Sequence, residues 1–374
     1  MKTIKTLLIL MISLVYSAAS FAQGTFKTKN VIVITLDGLR WQEIFTGADS
    51  SLINNKEITK TLEPTKKKYW NPNVMERRKT LMPFFWNTIA GQGQLYGNRY
   101  LGSNVNVSNN YWFSYPGYSE IFCGFADDSI NTNDLKLNPN VNVLEVINKK
   151  DEFKGKVAAF TSWDAFPYIL NAQRSGLLVN SAFQTQPPVS ENIRVLNEIQ
   201  SQLPDILEGV RLDAVTFHQG FEYLKAQKPR ILYISLDETD DLAHEGKYDL
   251  YLNAINYSDN FINELWQWVQ SDANYKDKTT LLITCDHGRG EGNPGWRSHG
   301  RKIPNSSQTW FAIMGPDSPA LGEVGSNSPQ CYSNQFAQTI AELLGVKYEG
   351  QRKTGDAITS VLGRTDSKKT LTTR

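Results

Sequence analysis

The chain has 374 residues, 40% of them hydrophobic and 21% charged, a balance that can bury one large core or two small ones and that excludes a disordered protein. Its 39 Lys and Arg against 38 Asp and Glu leave a formal charge of +1, so there is no basic field of the kind that holds duplex DNA, and no nucleic-acid binding surface is indicated. Three cysteines, Cys123, Cys285 and Cys331, are too few and too scattered for a disulfide framework or a four-thiolate zinc site.

At the N-terminus, Lys2 and Lys5 precede an apolar run over 7–16 and small residues ending at Ala22. That order predicts a secretory signal over 1–22, cleaved after Ala22. The run is shorter than the roughly 20 residues a membrane span needs, and no later stretch approaches that length. No cysteine stands at the cleavage site, so a lipoprotein anchor is not indicated. The expectation is an exported chain, periplasmic or secreted, with no membrane span after cleavage. One domain is expected over 23–362, followed by a loose polar tail over 363–374.

Continuous apolar runs occur at 30–36 (NVIVITL), 156–160 (KVAAF), 230–236 (RILYISL), 279–285 (TTLLITC) and 309–314 (TWFAIM). Such runs suit strands buried on both faces. Helical apolar spacing appears at 81–89, 143–147, 212–224, 250–269 and 336–344. The alternation predicts an α/β fold, a three-layer α/β/α sandwich around a mostly parallel sheet. Two polar stretches interrupt it: residues 47–80, with basic clusters at Lys66 to Lys68 and at Arg77 to Lys79, and residues 176–205, rich in Ser, Asn, Gln and Pro. Both are expected to be insertions over the sheet rim, as stretches of this length usually serve as lids, binding loops or small subdomains.

Chemistry gathers at the strand ends. Asp37 follows the first apolar strand, where open α/β sheets place their ligands. Ser114 lies in Phe113-Ser114-Tyr115-Pro116-Gly117, and a helix beginning near Pro116 would set it at a helix N-terminus, which favours an anion. After the strand at 230–236, Asp240 and His244 stand four apart, so a helical turn puts both on one face, able to chelate one ion. The strand at 279–285 ends in Asp286-His287-Gly288, and a further His299 sits in a Gly-flanked loop. Three of the four histidines therefore lie beside strand-end carboxylates, and imidazole mixed with carboxylate suits Zn²⁺, with Mn²⁺ an alternative. His218, in a helical pattern with no acidic neighbour, reads as structural.

In order and position these segments resemble the alkaline phosphatase superfamily, most closely its nucleotide pyrophosphatase and phosphodiesterase branch. Asp37-Gly38 resembles the first metal-ligand motif of that branch. Ser114-Tyr115-Pro116-Gly117-Tyr118 is similar to its Thr-Phe-Pro-Asn-His nucleophile segment, Asp240 with His244 to its Asp-x-x-x-His pair, Asp286-His287-Gly288 to its Asp-His-Gly, and His299 to its last zinc ligand. The resemblance implies two divalent ions, one on Asp240, His244 and His299, the other on Asp37, Asp286, His287 and the Ser114 oxygen. It also implies attack by Ser114 on phosphorus and a covalent phosphoseryl enzyme, and it makes Asn131 or Asn133 a donor to a phosphate oxygen.

Departures from the family pattern carry information. Sulfatases share the Ser-x-Pro-x frame but continue it with Arg, where this chain has Tyr118. One monoesterase branch presents Lys and Arg where this chain has Trp163 and Ala165. Trp163 and Phe166, with Tyr115 and Tyr118 beside Ser114, are thus expected to form an apolar seat for the organic groups of a small-molecule diester. Arg40 and the Lys66 to Lys68 loop are the remaining candidate cations. The alternatives are a phosphomonoesterase or sulfatase on the same fold and, from another class, a secreted glycan-binding protein with a structural metal site.

Overall fold

All five apolar runs form strands in the computed structural model, which describes residues 26–363 except residue 189. The expected signal segment and the tail beyond residue 363 lie outside the described residues. In chain order the strands are β1 (Asn30–Leu36), β2 (Gln94–Tyr96), β3 (Val105–Asn106), β4 (Val157–Thr161), β5 (Leu178–Ser181), β6 (Ile231–Leu236), β7 (Thr279–Thr284), β8 (Gln308–Thr309), β9 (Phe311–Met314), β10 (Gly322–Glu323) and β11 (Cys331–Tyr332). Eight of them form one sheet in the order β10-β2-β9-β7-β1-β6-β4-β5, and β11-β3-β8 form a second, smaller one. In the large sheet β9 alone runs antiparallel to its neighbours.

The strand period of two divides the core. Ile32, Ile34 and Leu36 face one hydrophobic cluster, completed by the helices Asp213–Gln227 and Tyr248–Ser271. Val31 and Val33 face the other, completed by the helices Ser114–Cys123, Val143–Asn148 and Phe336–Leu343. Because both faces of β1 are covered, all seven of its residues are buried, which is why it reads as an unbroken apolar run. The expected three layers are therefore present.

One expected helix differs. Residues 81–89 do not form a continuous α-helix: the helix Val74–Leu81 stops, Met82 turns to φ −132°, and a π-helix runs over Phe85–Ile89. Pro83 disfavours the α conformation at the residue before it, and that local constraint overrides the apolar spacing.

Residues 47–80 carry the helices Ser50–Ile53, Leu62–Tyr69 and Val74–Leu81, and Leu52, Ile53, Ile58 and Tyr69 join the first core cluster. Residues 176–205 carry edge strand β5 and the helix Glu191–Gln202. No helix of the described residues is long and apolar enough to cross a membrane.

Candidate metal centre and nucleophile

Strand register brings the acids together. Leu36 pairs with Leu236 and Thr35 with Thr284, so β1, β6 and β7 end level, and the chain continues through Asp37, Asp237 and Asp286 at one rim of the sheet. Gly38 has φ +56°, and a Cβ there would stand 2.5 Å from Asp240 Oδ1 and 3.1 Å from His287 Cε1. Any side chain at position 38 would thus fill the space between two candidate ligands as well as strain the backbone. The Gly38 N–H donates to Asp286 Oδ1 at 3.1 Å, and the Tyr118 hydroxyl donates to Asp37 Oδ2 at 2.9 Å. Each carboxylate therefore keeps one oxygen held and the other free.

Those free oxygens, Asp37 Oδ1 and Asp286 Oδ2, are buried and have no hydrogen-bond partner among the described residues. Each lies 3.4 Å from His287 Nε2. Burial, followed by the charge of a neighbouring aspartate, pushes both carboxyls well above the usual range. A buried carboxylate oxygen with no donor costs several kcal/mol, and a divalent cation is the partner that removes this cost. Two sets of residues have ligand atoms close enough to share an ion: Asp37, Asp286 and His287, and Asp240, His287 and His299. Oxygen and imidazole donors without thiolate suit Zn²⁺ or Mn²⁺, so the residues fit the ions that the sequence motifs imply.

The histidine tautomers are set by backbone carbonyls. His287 Nδ1 lies 2.9 Å from Gly288 O, and His299 Nδ1 lies 3.3 Å from Trp112 O. A carbonyl only accepts, so each Nδ1 carries the proton and each Nε2 presents its lone pair to the acids. Burial, then the neighbouring His287, holds His299 well below the ordinary histidine range and so keeps it neutral. On the helix Glu238–His244, Asp240 Oδ2 lies 3.0 Å from His244 Nε2, which is 2.9 Å from His299 Nε2. For Asp240 burial opposes ionisation, but the Arg289 guanidinium outweighs it and holds its carboxyl well below the usual range.

Ser114 is the first residue of the helix Ser114–Cys123 and is 6% exposed. Its Oγ lies 3.3 Å from His287 Nε2. The helix seats directly on the end of β7: a Cβ at Gly117 would come 2.4 Å from Asp286 O, so only glycine permits this approach. The Tyr115 N–H donates to Asn133 Oδ1 at 3.0 Å, which leaves the amide N–H groups of Asn133 directed elsewhere.

Several expected contacts are corrected. Tyr115 is buried among apolar residues with its hydroxyl on Lys136 O, and Tyr118 points inward to Asp37, so neither forms a substrate seat. Phe166 is fully buried against Tyr118 and Tyr233, and half-buried Trp163 packs on it edge-on at 6.3 Å between ring centroids. Phe166 cannot offer a face to a substrate without unpacking the core, whereas Trp163 stays partly accessible. Asn131 gives its amide to Asp128 O at 3.1 Å, which leaves Asn133 as the nearer of the two. Arg40 is buried and paired with Glu43 and Gly290 O. Lys66, Lys67 and Lys68 end the helix Leu62–Tyr69, with Lys68 on Asn253, so none of these cations reaches the serine. His218 packs against Phe217 and Phe261, as a structural residue does.

Arg289 belongs to the site although no sequence motif marks it. Fully buried, it donates to Asp240, to Trp296 O at 2.8 Å and to Arg297 O at 2.7 Å. It thereby joins the Asp-His-Gly turn to the loop that carries His299. Its only sequence signal is adjacency to Gly288. Arg289→Met is expected to destabilise the fold by about 3–5 kcal/mol, because it strips a buried carboxylate of its cation. Arg289→Lys should rescue little, since one ammonium cannot span three acceptors. Denaturant midpoints check both, and a loss below about 1 kcal/mol for Met would remove Arg289 from this role.

Comparison with known proteins agrees with the geometry. Residues 192–298 match the model of the Metalloenzyme superfamily. No curated protein matches the chain by sequence. Among solved structures, the phosphonate monoester hydrolase of Agrobacterium radiobacter is similar with a TM-score of 0.58 and 12% identity over 91% of this chain and 78% of its own. The alkaline phosphatase PafA gives 0.53 and 10% over 91% of this chain and 100% of its own. A protein in the alkaline phosphatase superfamily from Vibrio parahaemolyticus gives 0.51 and 12% over 91% and 70%. At such identities the likeness is one of fold. The resemblance to the superfamily read from the motifs is borne out at that level, and the pyrophosphatase and phosphodiesterase branch is not singled out within it.

Proposed function

We propose that the protein is an exported, metal-dependent hydrolase of phosphoric esters that works through a phosphoseryl intermediate on Ser114. The observation that carries this reading is the meeting of a near-buried serine hydroxyl, two oriented imidazole lone pairs and two unpartnered carboxylate oxygens at one sheet rim. Asp37, Asp286, His287 and Ser114 would hold one divalent ion, and Asp240, His244 and His299 the other, with His287 between the two sets. Ions so held supply Lewis acidity, which neutralises phosphoryl charge and acidifies a hydroxyl.

The chain's own groups do the rest. The Ser114 hydroxyl gives its proton to solvent and its oxygen bonds to phosphorus as the bond from phosphorus to the leaving oxygen breaks, and the alcohol departs with a proton from solvent. The helix N-terminus behind Ser114 favours the anionic group under attack. Asn133, with its carbonyl oxygen engaged by the Tyr115 N–H, has amide hydrogens for a non-bridging oxygen. Water then cleaves the phosphoseryl ester and regenerates the hydroxyl. Tyr118 fills the place where a sulfatase carries Arg, and it is committed to Asp37, which favours phosphate over sulfate esters.

Charge favours a diester. The buried guanidiniums at this rim, Arg40 and Arg289, are already engaged by carboxylates and carbonyls, whereas a monoester dianion rewards a free cation. With one preparation at one pH and metal loading, kcat/KM for an aryl phosphodiester is expected to exceed that for the matching aryl monoester and aryl sulfate. A monoester preference of tenfold or more would overturn this, and would point to exposed Arg301 and Lys302, just beyond His299.

A further inference from the structure

We infer that Glu120 is a positioning residue which, through the loop 108–112, holds the ring of His299 in the orientation that offers Nε2 to an ion shared with Asp240 and His244. The inference rests on the reading of those three residues as a metal site.

Glu120 lies on the nucleophile helix, six residues after Ser114, and is fully buried with no cation beside it among the described residues. Its carboxylate accepts three N–H groups of one short segment: Ser108 N at 2.7 Å, Asn109 N at 2.8 Å and Asn109 Nδ2 at 2.9 Å. Asn109, held at both backbone and side chain, then shapes the next three residues. Its Oδ1 accepts Tyr111 N at 2.9 Å and Trp112 N at 3.0 Å, and its carbonyl accepts Trp112 Nε1 at 2.9 Å. These bonds bend Trp112 into the left-handed region, φ 58°. A bulky residue rarely adopts that conformation and keeps it only where its surroundings dictate it.

The bend has a chemical consequence. It turns the Trp112 carbonyl onto His299 Nδ1, 3.3 Å away, and that contact decides which nitrogen of His299 has the free lone pair. The same loop runs on through Phe113 into Ser114, so one buried carboxylate ties the candidate nucleophile's helix to the imidazole across the site. A merely structural anchor of the loop would need no strained carbonyl aimed at a histidine.

Glu120→Gln tests the link. The amide keeps one acceptor but faces the remaining N–H donors with an NH₂ group, so the loop relaxes. Zinc binding to the metal-stripped variant, with folding confirmed by circular dichroism, is expected to show one of two sites weakened about 10–100-fold while the other keeps wild-type affinity. Asn109→Ala should give the same selective loss, and it serves where Glu120→Gln does not fold. Folded Glu120→Gln or Asn109→Ala that binds two ions as wild type does overturns the inference. Wild-type protein that takes up no zinc fails the metal-site reading first, and the inference with it.

Discussion

Replacing Ser114 by Ala is expected to lower kcat for ester hydrolysis about 10³-fold or more while leaving the fold intact. The attacking oxygen is lost, and with it the covalent route that splits one difficult displacement into two easier ones. The structural change is small. Ser114 opens its helix, the polar contact given up is the 3.3 Å approach of its Oγ to His287, and Ala is well tolerated in a first helical turn. The affinity for two divalent ions should survive in large part, since Asp37, Asp286 and His287 remain to hold one and Asp240, His244 and His299 the other. This retention separates the role of a nucleophile from that of a ligand. Steady-state kinetics with metal titration on the same preparation checks both halves. Near-normal turnover in the variant would mean that water attacks phosphorus directly, and the phosphoseryl intermediate would be abandoned.

The central strands are legible in the sequence because burial on both faces leaves an unbroken apolar run, as in 30–36, 231–236 and 279–284. The short strands are not: Gln94–Tyr96 and Leu178–Ser181 are mixed in character, and β3, β8, β10 and β11 are two residues each, too short to show any period. Asp37, Asp240, His244, Asp286 and His287 are legible because they come just after those central strands, and His299 because it stands in a Gly-flanked loop beyond the last of them. The aromatic neighbours of Ser114 mislead because proximity in sequence is not proximity in space. Tyr118, one helical turn after Ser114, shares its face and reaches Asp37. Tyr115, one residue on, is rotated by about 100° and is carried to Lys136 instead. Arg289 and Glu120 stay hidden for a different reason. Each acts through backbone groups of a loop 7 to 12 residues away, beyond the reach of helix or strand periodicity, and nothing in a local pattern marks the acceptor or donor it will meet.

Asp286→Asn should change stability in opposite directions with and without metal. Asp286 is fully buried, its Oδ2 has no hydrogen-bond partner among the described residues, and the carboxylate of Asp37 faces the same space. Removing that charge removes a cost, while Asn keeps an oxygen to accept the Gly38 N–H that Oδ1 accepts now. The stripped variant is therefore expected to melt at or above the wild-type temperature. With zinc present the order reverses. An ion that binds only the folded state adds about 4 kcal/mol at a thousandfold excess over Kd. For a domain of this size that raises the wild-type Tm on the order of 5–10 °C. Asn supplies a neutral oxygen where the ion needs a charged one, so the variant should gain far less and should lose hydrolytic activity. Paired thermal melts in chelator and in zinc decide the matter. If the two proteins respond to zinc alike, then Asp286 is not a ligand, and the unpartnered oxygens of Asp37 and Asp286 would need another explanation.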